Sequence, residues 1–318
     1  MATVPAWLRR AIPDAQSLAG KDVEDVALVA GAAIGALDAV VRRQERWAGA
    51  WRQRLALAAA AATARQAGRV EDEGALRDAV LLTRPGDFLS VGPAGFLLLA
   101  WRRLAVRPAE ELLTEKNLAA VLEEFGYAPD DEGLGDLADE LRQLGASAGL
   151  VGMLTGAVAA AERRGFGRVL GAWLADALLA QRLGWTHAIP LLGAEATLVV
   201  GTGRARRPGT AALAAGAETE ADWAKSLLAA QARAALRAID LFAELERRAD
   251  RLLAVAPKLR AKAADVVVEK LLSDDAIVAS EQIAGMSDRG LRRLFDRLVE
   301  LGAVRELSGR ATFRIYGL

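Results

Sequence analysis

Apolar residues recur at helical spacing from residue 22 to residue 255, and nothing in that stretch alternates with period two. Residues 22–43 carry one such stripe, with acids early and Arg42 and Arg43 late, the order a helix dipole favours. A second helix is predicted over 46–66; it holds Trp47, Trp51 and the apolar run 55–62, with Gly68 as its stop. Residues 72–82 predict a shorter helix, ended by the turn signal Arg84-Pro85-Gly86-Asp87. A fourth follows Gly92-Pro93 and runs through Phe96 and Trp101 into Leu104. The acid-rich stretch beyond Pro108 reads as two helices broken at 126–135. Residues 144–161 read as an uncharged helix, and 168–183 as one that is apolar nearly all round and therefore central. Residues 185–190 make a turn, 191–200 fit either a strand or a helix, and 201–209 form a loop. Residues 219–255 form one long helix or two joined end to end. The fold class is therefore mainly α, with a multi-helix bundle over residues 1–255.

At Ala256-Pro257 the pattern breaks, because the residue before a proline disfavours the helical region. Residues 256–318 are expected to form a second, smaller domain. A helix over 258–272 offers Leu259, Val266, Val267 and Leu271 to a core, and 273–275 is a turn. Residues 279–284 predict a short second helix closed by Gly285. Ser287 then caps a helix that has Leu291, Leu294, Phe295, Leu298 and Leu301 on one stripe. Its other face shows Arg289, Arg293, Asp296 and Glu300, flanked by Arg292 and Arg297. Gly302 stops it, 304–307 and 312–316 predict two strands, and 308–310 the turn between them. This is the order of a winged helix-turn-helix with a β-hairpin wing. In that arrangement a charged helix fits the major groove and the wing meets phosphate. The candidate DNA contacts are Arg289, Arg292, Arg293 and Arg297 in the groove, and Arg310 and Arg314 on the backbone. Winged helices also dock proteins, and Asp296 and Glu300 lie in the middle of the presumed reading face. Two functions therefore stand: a DNA-associated protein of regulatory type, and an interaction scaffold.

Ala and Leu dominate the chain and aromatic residues make up 5%, which favours helix. Lys plus Arg and Asp plus Glu both number 41, so total charge selects neither a polyanion nor a polycation. Its distribution says more. Residues 110–140 hold eleven acids against the single Lys116, a surface suited to a basic partner in the scaffold reading. From residue 286 onward seven arginines face four acids, which points to an anionic partner at that end. The absence of cysteine removes disulfides, thiol nucleophiles and cysteine metal sites, and fits a cytoplasmic protein. The first residues lack the apolar core of a secretory signal. The uncharged run 144–161 has small residues at Gly145/Gly149 and Gly152/Gly156, spacing that lets helices approach closely. It is too short and too weakly apolar to span a bilayer, so a buried helix is expected and no membrane partner.

Catalytic motifs are not recognisable. His187 is the one histidine, and alone it builds neither a zinc site nor a serine triad. Gly201-Thr202-Gly203 does not continue into a dinucleotide fingerprint, and no P-loop occurs. Arg204, Arg206 and Arg207 read as a solvated basic loop, and Asp130-Asp131-Glu132 as an acidic turn without EF-hand spacing. Trp47, Trp51, Trp101 and Trp173 read as core. Glu71, Asp72, Glu73, Arg77 and Asp78 form a charged patch that specifies no substrate, although a helical enzyme using Glu71, Asp72 or His187 stands as a third reading. The likeness of Trp51-Arg52-Gln53-Arg54-Leu55 to Trp101-Arg102-Arg103-Leu104 suggests a duplicated helical hairpin. A non-enzymatic protein without cofactor or metal is expected, its helical body forming a homodimer or docking a protein partner.

The chain resembles, over its full length, an uncharacterised bacterial family, the domain-of-unknown-function family 1403. The likeness is carried by Trp47-Ala-Gly-Ala-Trp-Arg-Gln-Arg-Leu-Ala-Leu57, by Gly68-Arg-Val-Glu-Asp-Glu-Gly-Ala-Leu-Arg-Asp78 with Arg84-Pro-Gly-Asp87, and by Leu252-Leu-Ala-Val-Ala-Pro-Lys-Leu-Arg-Ala-Lys262. Its most specific part is the ending, from Arg292-Arg-Leu-Phe-Asp-Arg-Leu to Phe313-Arg-Ile-Tyr-Gly-Leu318. The resemblance implies no activity. The ending is also similar to winged-helix segments appended to Fic-type enzymes, but the His-x-Phe-x-x-Gly-Asn-Gly-Arg motif those enzymes use is absent.

Overall fold

The structure, a computed structural model, describes residues 4–83, 88–128, 130–200, 220–308 and 313–318, and it is mainly α-helical. The turn Arg84-Pro85-Gly86-Asp87, the loop bearing Arg204, Arg206 and Arg207, and the wing turn bearing Arg310 lie outside the described residues.

Two short helices unforeseen in the periodicity come first, α1 (Ala6–Ala11) and α2 (Ala15–Ala19). The predicted series follows as α3 (Val23–Val41), α4 (Ala48–Gln66), α5 (Glu73–Leu81), α6 (Gly92–Val106) and α7 (Glu115–Glu124). Then come α8 (Asp131–Ser147), α9 (Leu150–Arg163), α10 (Arg168–Leu183), the short α11 (Ala196–Val200) and α12 (Glu220–Val255). Residues 191–200 thus settle as helix, a single-turn segment at Leu192–Glu195 leading into α11. Residues 220–255 form one continuous helix.

Packing follows the apolar stripes. α3 lies along α12, α4 against α6, and α9 against α10. The tryptophans knit these pairs: Trp51, Trp101 and Trp173 are fully buried. Trp51 Nε1 donates to the Ala238 carbonyl and Trp173 Nε1 to that of Ala100, both at 2.9 Å. α10 is buried nearly all round, as its sequence predicts, and approaches α9 so closely that a Cβ on Gly171 would lie 2.7 Å from Val158 Cα.

The uncharged run differs from expectation. It is not one helix but the end of α8 and most of α9, separated by extended backbone at Ala148 and Gly149. Glycine is a poor residue for a helix interior, and the break lets α9 reverse direction and pack on both α8 and α10.

The chain closes with α13 (Ala264–Ser273), β1 (Ile277–Val278), α14 (Asp288–Glu300), β2 (Arg305–Glu306) and β3 (Ile315–Gly317). The strands form an antiparallel sheet in the order β1–β3–β2, pairing Ile277 with Tyr316 and Glu306 with Tyr316. The predicted short helix over 279–284 is absent. The Ala279 amide instead donates to the Arg314 carbonyl at 2.8 Å, prolonging the β1–β3 pairing. Too few residues then remain before Gly285 (φ +81°) to meet the cost of helix nucleation. The predicted helix over 258–272 starts late, at Ala264, after a single turn at Ala256–Lys258.

Candidate nucleic-acid interface

Helix α14 is held from three sides. At its start the Ser287 hydroxyl accepts from the Gly290 amide at 3.2 Å, and at its end Gly302 turns the chain with φ +64°. Leu291, Leu294, Phe295 and Leu298 are buried, and the Phe295 ring stacks on Tyr316 of the central strand at 4.3 Å, 7° from parallel. Burial of that stripe fixes which side chains face outward.

Arg289, Arg292, Arg293 and Arg297 are all exposed. Arg297 pairs with Glu300 at 2.9 Å. Arg314, exposed on β3's approach, lies 3.7 Å from Asp296 and 3.9 Å from Glu306, and Tyr316 and these acids hold it more firmly protonated. Both carboxylates in the middle of the face therefore have a cation beside them. Arg289, Arg292 and Arg293 have no acid partner among the described residues, so three positive charges on one helix are uncommitted. A cleft of about 430 Å³ opens beside them, lined by Arg292, Asp296, Phe313 and Arg314, with Leu82 of the bundle at its edge. Arg310 falls outside the described residues.

A buried ionic joint positions this segment on the bundle. Asp275 is fully buried between Arg54 of α4, which pairs with its Oδ1, and Arg77 of α5, whose Nε reaches its Oδ2 at 2.6 Å. Burial alone would raise the Asp275 pKa, but the fields of Arg54 and Arg77, the Arg77 hydrogen bond and Arg102 more than offset it and hold the carboxyl below its usual range. Arg248 of α12 donates to the main-chain oxygen of Leu318 at 3.1 Å. The backbones meet with no room for a side chain where a Cβ on Gly49 would lie 2.6 Å from the Ser273 carbonyl oxygen; within the segment, one on Gly317 would lie 2.6 Å from that of Asp275. Sequence reasoning placed Arg77 in a charged patch and Asp275 in a turn. The pairing of Asp275 with Arg54 and Arg77 joins residues about 200 positions apart, and the only local signal was Arg54 on the alanine-rich helix α4.

The remaining polar candidates separate. Asp72 caps α5, accepting from the Ala75 amide at 2.8 Å, and Asp130 caps α8 in the same way at 2.7 Å. Within the acidic stretch Glu124 pairs with Arg103, and Glu140 with Arg163 and Arg164, so part of that charge is compensated internally. Asp176, unnoticed in the sequence, is buried in α10, and its Oδ2 accepts from the Leu191 and Leu192 amides at 2.7 and 3.0 Å. Burial pushes its pKa well up, against those two bonds. Among the described residues no group of three or more acidic or histidine side chains is placed to hold a metal ion, and no helix is long and apolar enough to cross a membrane.

No curated protein and no solved structure matches the chain. The model of one family, described as "Protein of unknown function (DUF1403)", matches residues 1–318, and the chain belongs to that family.

Proposed function

We propose that this is a non-enzymatic, cytoplasmic, DNA-associated protein of regulatory type whose segment 256–318 grips duplex DNA as a winged-helix module. In this reading α14 faces the major groove, and the β2–β3 hairpin, with Arg310 and Arg314, lies against backbone phosphates. The observation that carries it is the set of three exposed arginines, Arg289, Arg292 and Arg293, without acid partners among the described residues, on a helix clamped by its sheet. Such charges gain free energy by displacing counterions from DNA. The order helix, strand, helix, then a strand pair with β3 in the centre supports the module. The connection 279–286 serves as a turn in place of a second helix. Pairing of Asp296 with Arg314 and of Glu300 with Arg297 removes the main electrostatic objection.

A second reading, a protein-docking module, draws on the exposed Val299, Leu301 and Phe313 around the same helix. Anisotropy of the full chain on mixed-sequence duplex DNA, at about 50 mM and about 200 mM salt, separates the two. DNA binding predicts salt-sensitive association. In the variant Arg289→Ala/Arg292→Ala/Arg293→Ala the log–log salt slope should be shallower by about 0.9 for each phosphate no longer neutralised. Absence of binding at the lower salt removes the DNA reading and leaves protein docking.

A further inference from the structure

Away from α14, Arg52 of the bundle has no ion-pair partner among the described residues and lines a cleft. Arg52 of α4 donates through Nε to the Ala105 carbonyl at 2.8 Å, and its terminal nitrogens have no acceptor among the described residues. Arg54, two residues on in α4, shares Asp275 with Arg77, whereas no described carboxylate reaches Arg52. The side chain lines a cleft of about 390 Å³ where the α3–α4 connection, the turn 186–189, α12 and the end of α13 meet. Trp51, Ile189, Val40 and Phe242 supply apolar wall; Thr186 and His187 supply polar groups. At the rim Glu45 is held by Arg43 at 2.7 Å and Arg46 by Glu269, so those charges are already satisfied.

We propose that this cleft binds a small organic monocarboxylate, its two oxygens on the Arg52 guanidinium and its hydrocarbon part against the Trp51 and Phe242 side of the cleft. A carboxylate matches the planar fork of an arginine with two parallel hydrogen bonds. One uncommitted cation calls for one negative charge, and His187 adds none. Burial first, then the field of Arg52, lowers its pKa, so at neutral pH it is an uncharged hydrogen-bonding group. A phosphate dianion would exceed the single positive charge and find few further donors. The size and mixed lining suit a ligand of drug-fragment dimensions. Desolvation without a compensating acid brings the Arg52 pKa down to about 10, the cost of a charge that a bound carboxylate would offset. The site is independent of the DNA reading, although Ser273 of α13 shares its lining.

His187 is the only histidine in the chain, so its ring protons give an unambiguous report on the site. The full-length protein is titrated with phenylacetate, hexanoate and, separately, inorganic phosphate, following the His187 ring resonances by NMR across pH. The expected result is a saturable shift with a carboxylate, and a rise in the His187 pKa at saturation as the Arg52 charge is neutralised. Arg52→Met should fold as well as the wild type, because an apolar chain of similar length replaces a half-buried charge without a described counter-ion. It should bind the carboxylate at least about tenfold more weakly. Should Arg52→Met fold poorly, Arg52→Gln is measured in its place. Absence of saturable binding by both carboxylates, undiminished binding by the folded variant, or saturation by phosphate alone would each overturn the proposal.

Discussion

Two clusters of arginine in this protein have opposite environments. At the joint between the bundle and the last segment, Arg54 and Arg77 are nearly buried and converge on the fully buried Asp275. On α14, Arg289, Arg292 and Arg293 stand in water with no acid partner among the described residues. The same side chain fixes architecture in the first place and stays available to a polyanion in the second. Dielectric surroundings and the presence of a counter-ion separate the roles. Arg52 is a third case, largely out of water like the joint but without a described acid like the surface, which is why it marks a ligand site.

The strongest challenge to this contrast is Asp275→Ala, which leaves Arg54 and Arg77 buried without their acid. A loss of about 3–5 kcal/mol in urea unfolding is expected. The joint also has a pH signature. The Asp275 pKa is depressed in the folded state, so its contribution is present above the unfolded value near about 4 and is lost as pH falls through the folded value. Below about pH 4 the wild type should therefore lose stability more steeply than Asp275→Ala. A variant that unfolds at the wild-type urea concentration would mean that the joint does not hold the segment in place.

Next in size is Gly49→Ala. Its Cβ would meet the backbone of Ser273, not a side chain able to swing away. Moving α13 off α4 should cost about 1–3 kcal/mol, read by the same unfolding experiment. Smallest is Arg297→Ala on α14. Its pair with Glu300 is well exposed, so stability should change by less than about 1 kcal/mol while any DNA affinity falls. A large stability loss there would erase the distinction between the two arginine sets.

Much of the molecule is legible in the sequence because its elements are decided locally. α3, α4, α6 and α10 fall where apolar spacing, caps and glycine stops place them, and Ser287 and Asp72 cap the helices that follow them. The break at Ala148–Gly149 was not legible, because an uncharged Ala- and Gly-rich run carries no phase to show where one helix ends and its neighbour begins. The missing helix over 279–284 failed for a different reason: the Ala279 amide is claimed by Arg314, 35 residues away in sequence. Of the interface, the exposed arginines of α14 follow from its amphipathic pattern. Their freedom from acid partners does not.

The mainly α class, the helix series and the charged face of α14 can all be read from the chain alone, since periodicity and capping act over a few residues. Which charges are neutralised is settled by the tertiary fold. Arg52 and Arg54 look alike in sequence, two residues apart on an alanine-rich helix, and Arg77 lies in a charged patch with acids of its own. Only the fold brings Asp275 between two of them and leaves the third without a described acid. The physical reason is that a charge's role depends on its burial and on the nearest opposite charge, and both are set by residues distant in the chain.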